Sequence, residues 1–329
     1  MPLPSIRTVL VYSHGEVIGD GVIKLPWVGG LRAAFQGARI TWCAASGETV
    51  YATTLAPLAQ ALIDEIVSEP DLAAGRLRPW GRRPFGGRRF DLVIDTQSDP
   101  RQTLPLRRAA SGLFISATAA FLFSDRRPTG PAPPTIGERV GRLFSLAAGR
   151  PVPPVAPWAG DAPARQAAET LLPAGPVYIG LAPGSGGREK RWPLERYIEL
   201  GRRQADLGRQ PVFLLGPAEA GDAPAIRSAL PSATIPDLSG GEGVSGPRVL
   251  VALASRLAAA MANDAGPGHM LAAGGAPLVS LQRSARTAAK FRPATPRLEL
   301  VVARDLDMAT IAVDEAEAAL ERLLRPGAG

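Results

Sequence analysis

The stretch Ala262-Asn263-Asp264-Ala265-Gly266-Pro267-Gly268-His269-Met270-Leu271-Ala272-Ala273 decides how this chain is read. A short apolar run, Leu257 to Met261, ends in Asn-Asp. A small-residue turn, Ala-Gly-Pro-Gly, follows, and then an Ala-rich segment suited to a helix. Strand, tight turn and helix start in that order make an anion site, because the first N–H groups of a helix have no partner within it and point outward. Pro267 suits the first helical turn, where a missing N–H is no loss, and the glycines let the backbone approach a ligand closely. Taken alone, the pattern also describes an ordinary strand-to-helix connection in an α/β domain.

A second stretch upstream favours the anion site. Ile179-Gly180-Leu181-Ala182-Pro183-Gly184-Ser185-Gly186-Gly187-Arg188-Glu189-Lys190-Arg191-Trp192-Pro193 again runs an apolar strand into a glycine-rich loop, here with three cations. Trp192-Pro193 then opens an amphipathic helix over 194–207. Bare backbone donors plus a cation are what a phosphate needs. The loop is not a Walker A sequence: counted from Gly184, Glu189 stands where the second glycine belongs and Arg191 replaces Ser/Thr. It does not fit G-x-G-x-x-G either. A basic surface loop with no ligand is the competing reading.

Outward from these two loops, apolar strands alternate with helical patterns, which argues for parallel βαβ construction. In the first half the sequence predicts strands at 8–13, 38–44, 62–67 and 90–96, with helices at 19–35 and 49–60. The second half predicts strands beginning at 177, 211, 257 and 277. Its helices are expected over 194–207, 218–230 and 247–255, from 268, and over 307–324. Residues 126–135 read as irregular and the Pro-rich residues 149–163 as a linker. The chain therefore divides into an N-terminal domain, 1–155, and a C-terminal domain, 156–329. The closing helix, 307–324, is one that can pack back on the first domain. At 329 residues, two domains are the expectation for a chain of this size.

Composition narrows the class. A hydrophobic content of 46% with 20% charged residues describes a globular chain with ample core-forming material. A single cysteine, Cys43, in the apolar run Ile40 to Ala44, reads as a buried thiol and rules out an internal disulfide. Two histidines and no Cys/His cluster offer no structural zinc site. Neither a signal peptide nor a membrane-spanning run is expected. The net charge of +7 is concentrated at Arg76, Arg78, Arg82, Arg83, Arg88 and Arg89, and again at Arg101, Arg107 and Arg108. Aromatics at 5% are too few for a nucleic-acid stacking platform. The cations suit either an anionic membrane surface or a general arginine bias.

Four motifs in series carry a resemblance. Pro183-Gly184-Ser185…Lys190-x-Trp192-Pro193, Leu214-Leu215-Gly216-x-x-Glu219 and Asn263-Asp264-x-Gly266-Pro267-x-His269 resemble the C-terminal half of glycosyltransferase family 9, which contains the ADP-heptose:lipopolysaccharide heptosyltransferases. In the other half, Val9-Leu10-Val11-Tyr12…Ile18-Gly19-Asp20-Gly21…Leu25-Pro26 and Phe90-Asp91-Leu92-Val93-Ile94-Asp95-Thr96-Gln97 are similar to the family's opening strand, Gly-Asp loop and later strand. The resemblance runs from residue 7 to residue 322. It implies the GT-B fold, two Rossmann-like α/β domains facing across a cleft. It also implies an inverting, metal-independent transfer of a heptose-like sugar from a nucleoside-diphosphate donor, an ADP-sugar, with no further cofactor. The acceptor it implies is a lipopolysaccharide-type or other lipid-linked cell-envelope saccharide.

Open α/β sheets bind ligands beyond the carboxyl ends of their strands, so both glycine loops should serve one crevice. The resemblance assigns Lys190, Asp264, Gly266, Pro267, Gly268 and His269, with Gly184 and Ser185, to the donor phosphates, and Glu219 to the nucleoside ribose. Asp20 is the candidate general base for the acceptor hydroxyl. Gly19 and His14 are candidates for acceptor contact. Plainer roles stand beside these: Asp20 as a helix N-cap, Glu219 as a complement to a helix dipole, His14 as a solvated loop residue. Two departures touch the donor site, Ala265 where the family carries a hydroxyl and Gly268 where it carries a larger residue. The expected protein is a cytoplasmic monomer, peripheral on the inner face of the plasma membrane, with no nucleic-acid partner. The alternatives are another GT-B enzyme such as a sugar-nucleotide epimerase, or a catalytically silent nucleotide-sugar-binding protein.

Overall fold

The computed structural model describes residues 6–68, 72, 84–158, 161–239 and 244–325. The chain forms two compact units, Met1–Pro157 and Trp158–Gly329. Unit 1 contains β1 (Thr8–Ser13), α1 (Ile18–Ala34), β2 (Arg39–Ala44), α2 (Ala56–Ala59), β3 (Glu65–Ser68), β4 (Phe90–Asp95), α3 (Pro100–Arg107), β5 (Ala110–Ser116), α4 (Thr118–Phe121) and α5 (Ile136–Ala148). Its strands form one sheet in the order β3-β2-β1-β4-β5, every pair parallel. Leu10, Tyr12, Cys43, Phe90, Val93 and Phe114 form part of its core.

Unit 2 repeats the plan. It contains α6 (Ala162–Leu171), β6 (Tyr178–Ala182), α7 (Leu194–Asp206), β7 (Gln210–Phe213), α8 (Ala223–Ala229), α9 (Gly246–Leu253), β8 (Leu257–Asn263), α10 (Gly266–Ala273), β9 (Leu278–Gln282), α11 (Ala285–Lys290), β10 (Leu298–Val302) and α12 (Val313–Leu324). The sheet order is β10-β9-β8-β6-β7, again all parallel. Parallel sheets are covered on both faces, so their strands are apolar throughout; β6, with all five residues buried, is an example.

Several predicted elements change under tertiary constraints. The helix expected over 49–60 shrinks to α2, because Val50 N–H is drawn to the Glu16 carbonyl and the chain turns before Pro57 starts a helix. The helix expected over 218–230 is a 3-10 turn, Pro217–Asp222, followed by α8, since Pro224 has no N–H to continue the ladder. The closing helix is shorter than expected. Asp307 caps a separate turn, Met308–Thr310, and α12 packs on β8, β9, β10 and α7 of its own unit. Its buried Ala316, Ala319, Leu320 and Leu323 join Ile179, Leu181 and Met261 in one core, so its apolar face is spent within unit 2. Elements that periodicity missed include α5, opened by a capping box between Thr135 and Glu138 and closed by Gly149 at φ 68°.

Part of the Pro-rich stretch is packed rather than free. Val155 N–H donates to the carbonyl of Pro26 at 2.7 Å, and a Cβ at Gly29 or Gly30 would lie 2.3 Å from the Val155 carbonyl or 2.2 Å from that of Pro153. α1 thus carries glycines where the returning chain crosses it.

Candidate functional site

The order of unit 2 puts its topological switch between β6 and β8, and the two glycine loops follow those adjacent strands. Asn263 holds the loops together. Its side-chain amide donates to the Pro183 carbonyl at 2.8 Å, and its Oδ1 accepts from Trp192 N–H at 3.1 Å. Trp192 is buried and anchored through its indole N–H to the Ile311 carbonyl, so the end of the basic loop is fixed to the core. Lys190 then reaches back toward the second loop, its Nζ 3.8 Å from Asp264 Oδ2. Asp264 is buried, and that burial holds its carboxyl above the usual carboxylate range against the pull of Lys190.

Past Asp264 the backbone enters α10 at Gly266 and Pro267, and no side chain caps the helix at Ala265. Its leading N–H groups are left without a side-chain acceptor, as the missing hydroxyl at 265 requires. Gly268 lets the helix approach its strand: a Cβ there would lie 3.1 Å from the Asn263 carbonyl. His269 follows, buried, with Nδ1 lacking any hydrogen-bond partner. Burial, assisted by Lys190, lowers its pKa to about 4, so the ring is neutral at physiological pH. A neutral imidazole can donate or accept at that nitrogen.

Glu219 is buried in the turn after Gly216. Its carboxylate lies 2.9 Å from where a Cβ would stand on either Gly184 or Gly216, so a side chain at either position would push the carboxylate from its place. Oε1 accepts from Arg191 Nη2 at 3.0 Å, and the same nitrogen donates to the Ser185 carbonyl at 3.2 Å. Ser185 is buried, with its hydroxyl turned to Gly187 N–H at 3.5 Å. Glu219 is therefore an ion-paired group of the loop and more than a complement to a helix dipole. Among the described residues, four buried side-chain atoms lack partners: Arg191 Nε, Ser245 Oγ, His269 Nδ1 and Gln282 Oε1. Leaving such groups unpaired costs about 1–3 kcal/mol each, which a polar ligand would offset. Asn263 and Arg191 stood within the motifs read from sequence but were given no role there, and Gln282 was not singled out.

Unit 1 switches direction between β1 and β4. The β1–α1 loop is pinned by Glu16, which accepts from Ser13, Trp42 (3.3 Å), Thr49 (2.6 Å) and Lys24 (3.2 Å) while wholly buried. The loop then presents Gly19 and Asp20 in the first turn of α1, both half-buried. Val17 is the N-cap residue and no side chain caps the helix, so the capping role considered for Asp20 does not apply. His14 is exposed and lies 3.2 Å from the Ser46 hydroxyl. Beside this loop, Asp95 ends β4 with Thr103 and Ser116 donating to its carboxylate at 2.6 and 2.8 Å; burial raises its pKa to about 6.

The basic cluster at 76–89 is only partly in view. Arg76, Arg78, Arg82 and Arg83, with Trp80, lie outside the described residues. Arg88 forms a bidentate pair with Glu65, and Arg89 donates to the Ala110 carbonyl. No helix among the described residues is long and apolar enough to cross a membrane.

Two parallel α/β units, with paired glycine loops and a lysine at a sheet's switch point, are the parts of a GT-B fold. The sequence profile of glycosyltransferase family 9 (heptosyltransferase) matches residues 82–317, and the chain belongs to that family. The fold agrees with three solved structures. ADP-heptose lps heptosyltransferase II of E. coli superimposes with a TM-score of 0.65 at 19% identity, covering 97% of this chain and 98% of that one. A family 9 glycosyltransferase from Veillonella parvula DSM 2008 gives 0.66 at 18% identity, covering 98% of each. E. coli heptosyltransferase WaaC with ADP-2-deoxy-2-fluoro heptose gives 0.65 at 18%, covering 96% of this chain and 99% of that one. No match was found among curated proteins.

Proposed function

We propose that this glycosyltransferase moves a heptose-like sugar from an ADP-type nucleoside-diphosphate donor to a lipopolysaccharide-type or other lipid-linked cell-envelope saccharide, with inversion at the anomeric carbon. The observation that carries the donor half is the meeting of Lys190, the uncapped start of α10 and the unpartnered His269 Nδ1 around Asp264. A solved relative in fold holds an ADP-fluoroheptose, which agrees with this reading. As the bond from the anomeric carbon to the diphosphate breaks, charge builds on the leaving oxygens. Lys190 and the N–H groups of α10 are the donors for that charge. The acceptor hydroxyl attacks the opposite face, forming the new glycosidic bond, and Asp20 takes its proton. Gly184 and Ser185 line the phosphate loop and Glu219 meets the ribose, while Gly19 and His14 flank the acceptor. The same proposal has the protein act as a monomer in the cytoplasm, peripheral on the inner face of the plasma membrane.

The test is a thermal-shift panel of nucleoside diphosphates followed by transfer assays with ADP-heptose. Selective binding stabilises by mass action, about 2.7 kcal/mol at a ligand concentration a hundred times Kd. ADP should raise the melting temperature more than UDP or GDP. A panel with no shift overturns the donor assignment, and a strong shift without turnover on any acceptor makes the chain a silent binder.

A further inference from the structure

The loop after β5 has an unusual composition for a surface. Ala117-Thr118-Ala119-Ala120-Phe121-Leu122-Phe123 contains one polar residue. Yet Ala119 and Ala120 are exposed, and Leu122 is 61% exposed. Loops run over the surface and are ordinarily polar, and turning Leu122 inward would have stabilised the folded chain. The backbone instead holds it out. Ala119, Ala120 and Phe121 adopt φ of 50°, 53° and 66°, a left-handed turn that residues with side chains avoid. Both ends of that turn are tied down: Ser116 N–H donates to the Ser124 hydroxyl at 3.3 Å, and Phe114 N–H to Asp125 at 2.7 Å.

A second exposed apolar side chain lies on α3, the helix docked against this turn. The hydroxyls of Thr103 and Thr118 lie 2.7 Å apart, and Arg107 donates to the Phe123 carbonyl at 2.8 Å and to Asp125 at 2.7 Å. These ties dock α3 on α4, and Leu104, which stands between Thr103 and Arg107 on α3, is 52% exposed. The surroundings are basic. Residues 99–127 hold five arginines against two aspartates. Both aspartates are occupied, Asp99 capping α3 through Arg101 N–H and Asp125 held by Arg107. The exposed side chains of Arg101, Arg108 and Arg127 have no ion pair among the described residues.

We propose that this α3–α4 edge docks on an anionic membrane surface, with Leu104 and Leu122 entering the interface and Arg101, Arg108 and Arg127 lying over lipid phosphates. Two leucines and two alanines fall far short of the about 800 Å² that each side of a stable protein interface covers. They suffice for a peripheral anchor whose other half is charge, where each basic residue near the surface strengthens binding about fivefold. The start of α3 and the turn after β5 lie at the carboxyl end of the unit 1 sheet, the end that also presents Asp20, and α3 runs from there along the sheet toward Arg108. Delivery of a lipid-linked acceptor to that end of the sheet rests on the transferase reading, whereas the membrane contact does not.

The experiment is cosedimentation of the full chain with phosphatidylcholine vesicles and with equimolar phosphatidylcholine–phosphatidylglycerol vesicles. Wild type should sediment with the anionic vesicles alone, and salt should release it. Leu104→Ser with Leu122→Ser should abolish sedimentation although net charge is unchanged, and Arg101→Ser and Arg108→Ser should each lower affinity about fivefold. Melting temperature and ADP shift, read on every variant, show that fold and donor site are retained. A polarity-sensitive fluorophore on Leu122→Cys, with the sole native Cys43 buried, should shift to the blue on adding anionic vesicles. Wild type that ignores anionic vesicles at low salt overturns the proposal. So does a label that stays in water while the protein sediments, self-association through Leu104 and Leu122, or loss of binding only on Arg82→Ser with Arg83→Ser.

Discussion

Asp20, Lys190 and His269 carry the residue-scale predictions. Asp20→Asn keeps size and removes the base, so turnover should fall at least about 10²-fold with ADP affinity unchanged; near-normal turnover would remove Asp20 from the mechanism. Lys190→Ala should weaken ADP binding in calorimetry by about 1–3 kcal/mol, the worth of a charge-assisted contact. His269 predicts a pH signature. Its folded pKa of about 4 lies below the ordinary 6.5, so on acidification the unfolded chain takes the proton first. The stability it supports is whole above pH 6.5 and is lost as pH falls toward 4, on the order of 3 kcal/mol in all. Asp95, raised to about 6, acts oppositely in that window, and comparing wild type with His269→Gln cancels it. Identical pH dependence in urea unfolding of the two proteins would place His269 in water.

At the scale of elements, the two site-bearing loops are held by different physics. The β1–α1 loop depends on a buried ion pair between Glu16 and Lys24. Removing one partner strands the other charge. Glu16→Met leaves the Lys24 ammonium with Ser13 alone and should cost about 3–5 kcal/mol. Lys24→Met should cost less, because Ser13, Trp42 and Thr49 still donate to the carboxylate. Urea denaturation of both singles and the double variant gives the coupling; equal penalties would contradict this account. The unit 2 loops depend on Asn263 and on glycines 184 and 216, where a side chain would strike Glu219. β6, β8 and the turn between β8 and α10 were legible because period and small residues are local signals. Trp192 docking against Asn263, 71 residues away, was not.

For the whole molecule, two units with separate sheets predict separate responses to ligand. ADP should slow amide hydrogen exchange in 183–190 and 264–269 and leave the β1–α1 loop unchanged, because the residues assigned to the donor belong to unit 2. Protection centred on residues 14–20 would contradict the donor assignment. The basic excess also takes its meaning at this scale. In sequence, 76–89 is the densest run of arginine, but Arg88 and Arg89 are engaged by Glu65 and Ala110. Around α3 the cations Arg101 and Arg108 remain exposed beside two leucines.

Sequence by itself determined the alternation of strand and helix, the parallel α/β class and the places where glycine and proline open an anion site. Those features depend on neighbours within a few residues: an unpaired N–H at a helix start, a small residue at a turn, an apolar run long enough to cross a core. Tertiary structure decided what the charged residues do. Glu219 is claimed by Arg191 and Asp264 by Lys190 only when parallel strands bring distant loops to one edge. It also decided that α12 closes unit 2 on its own sheet and that Leu122 faces outward. An amphipathic pattern shows that a helix has an apolar face, while the surface that covers it depends on chain packing that local periodicity does not encode.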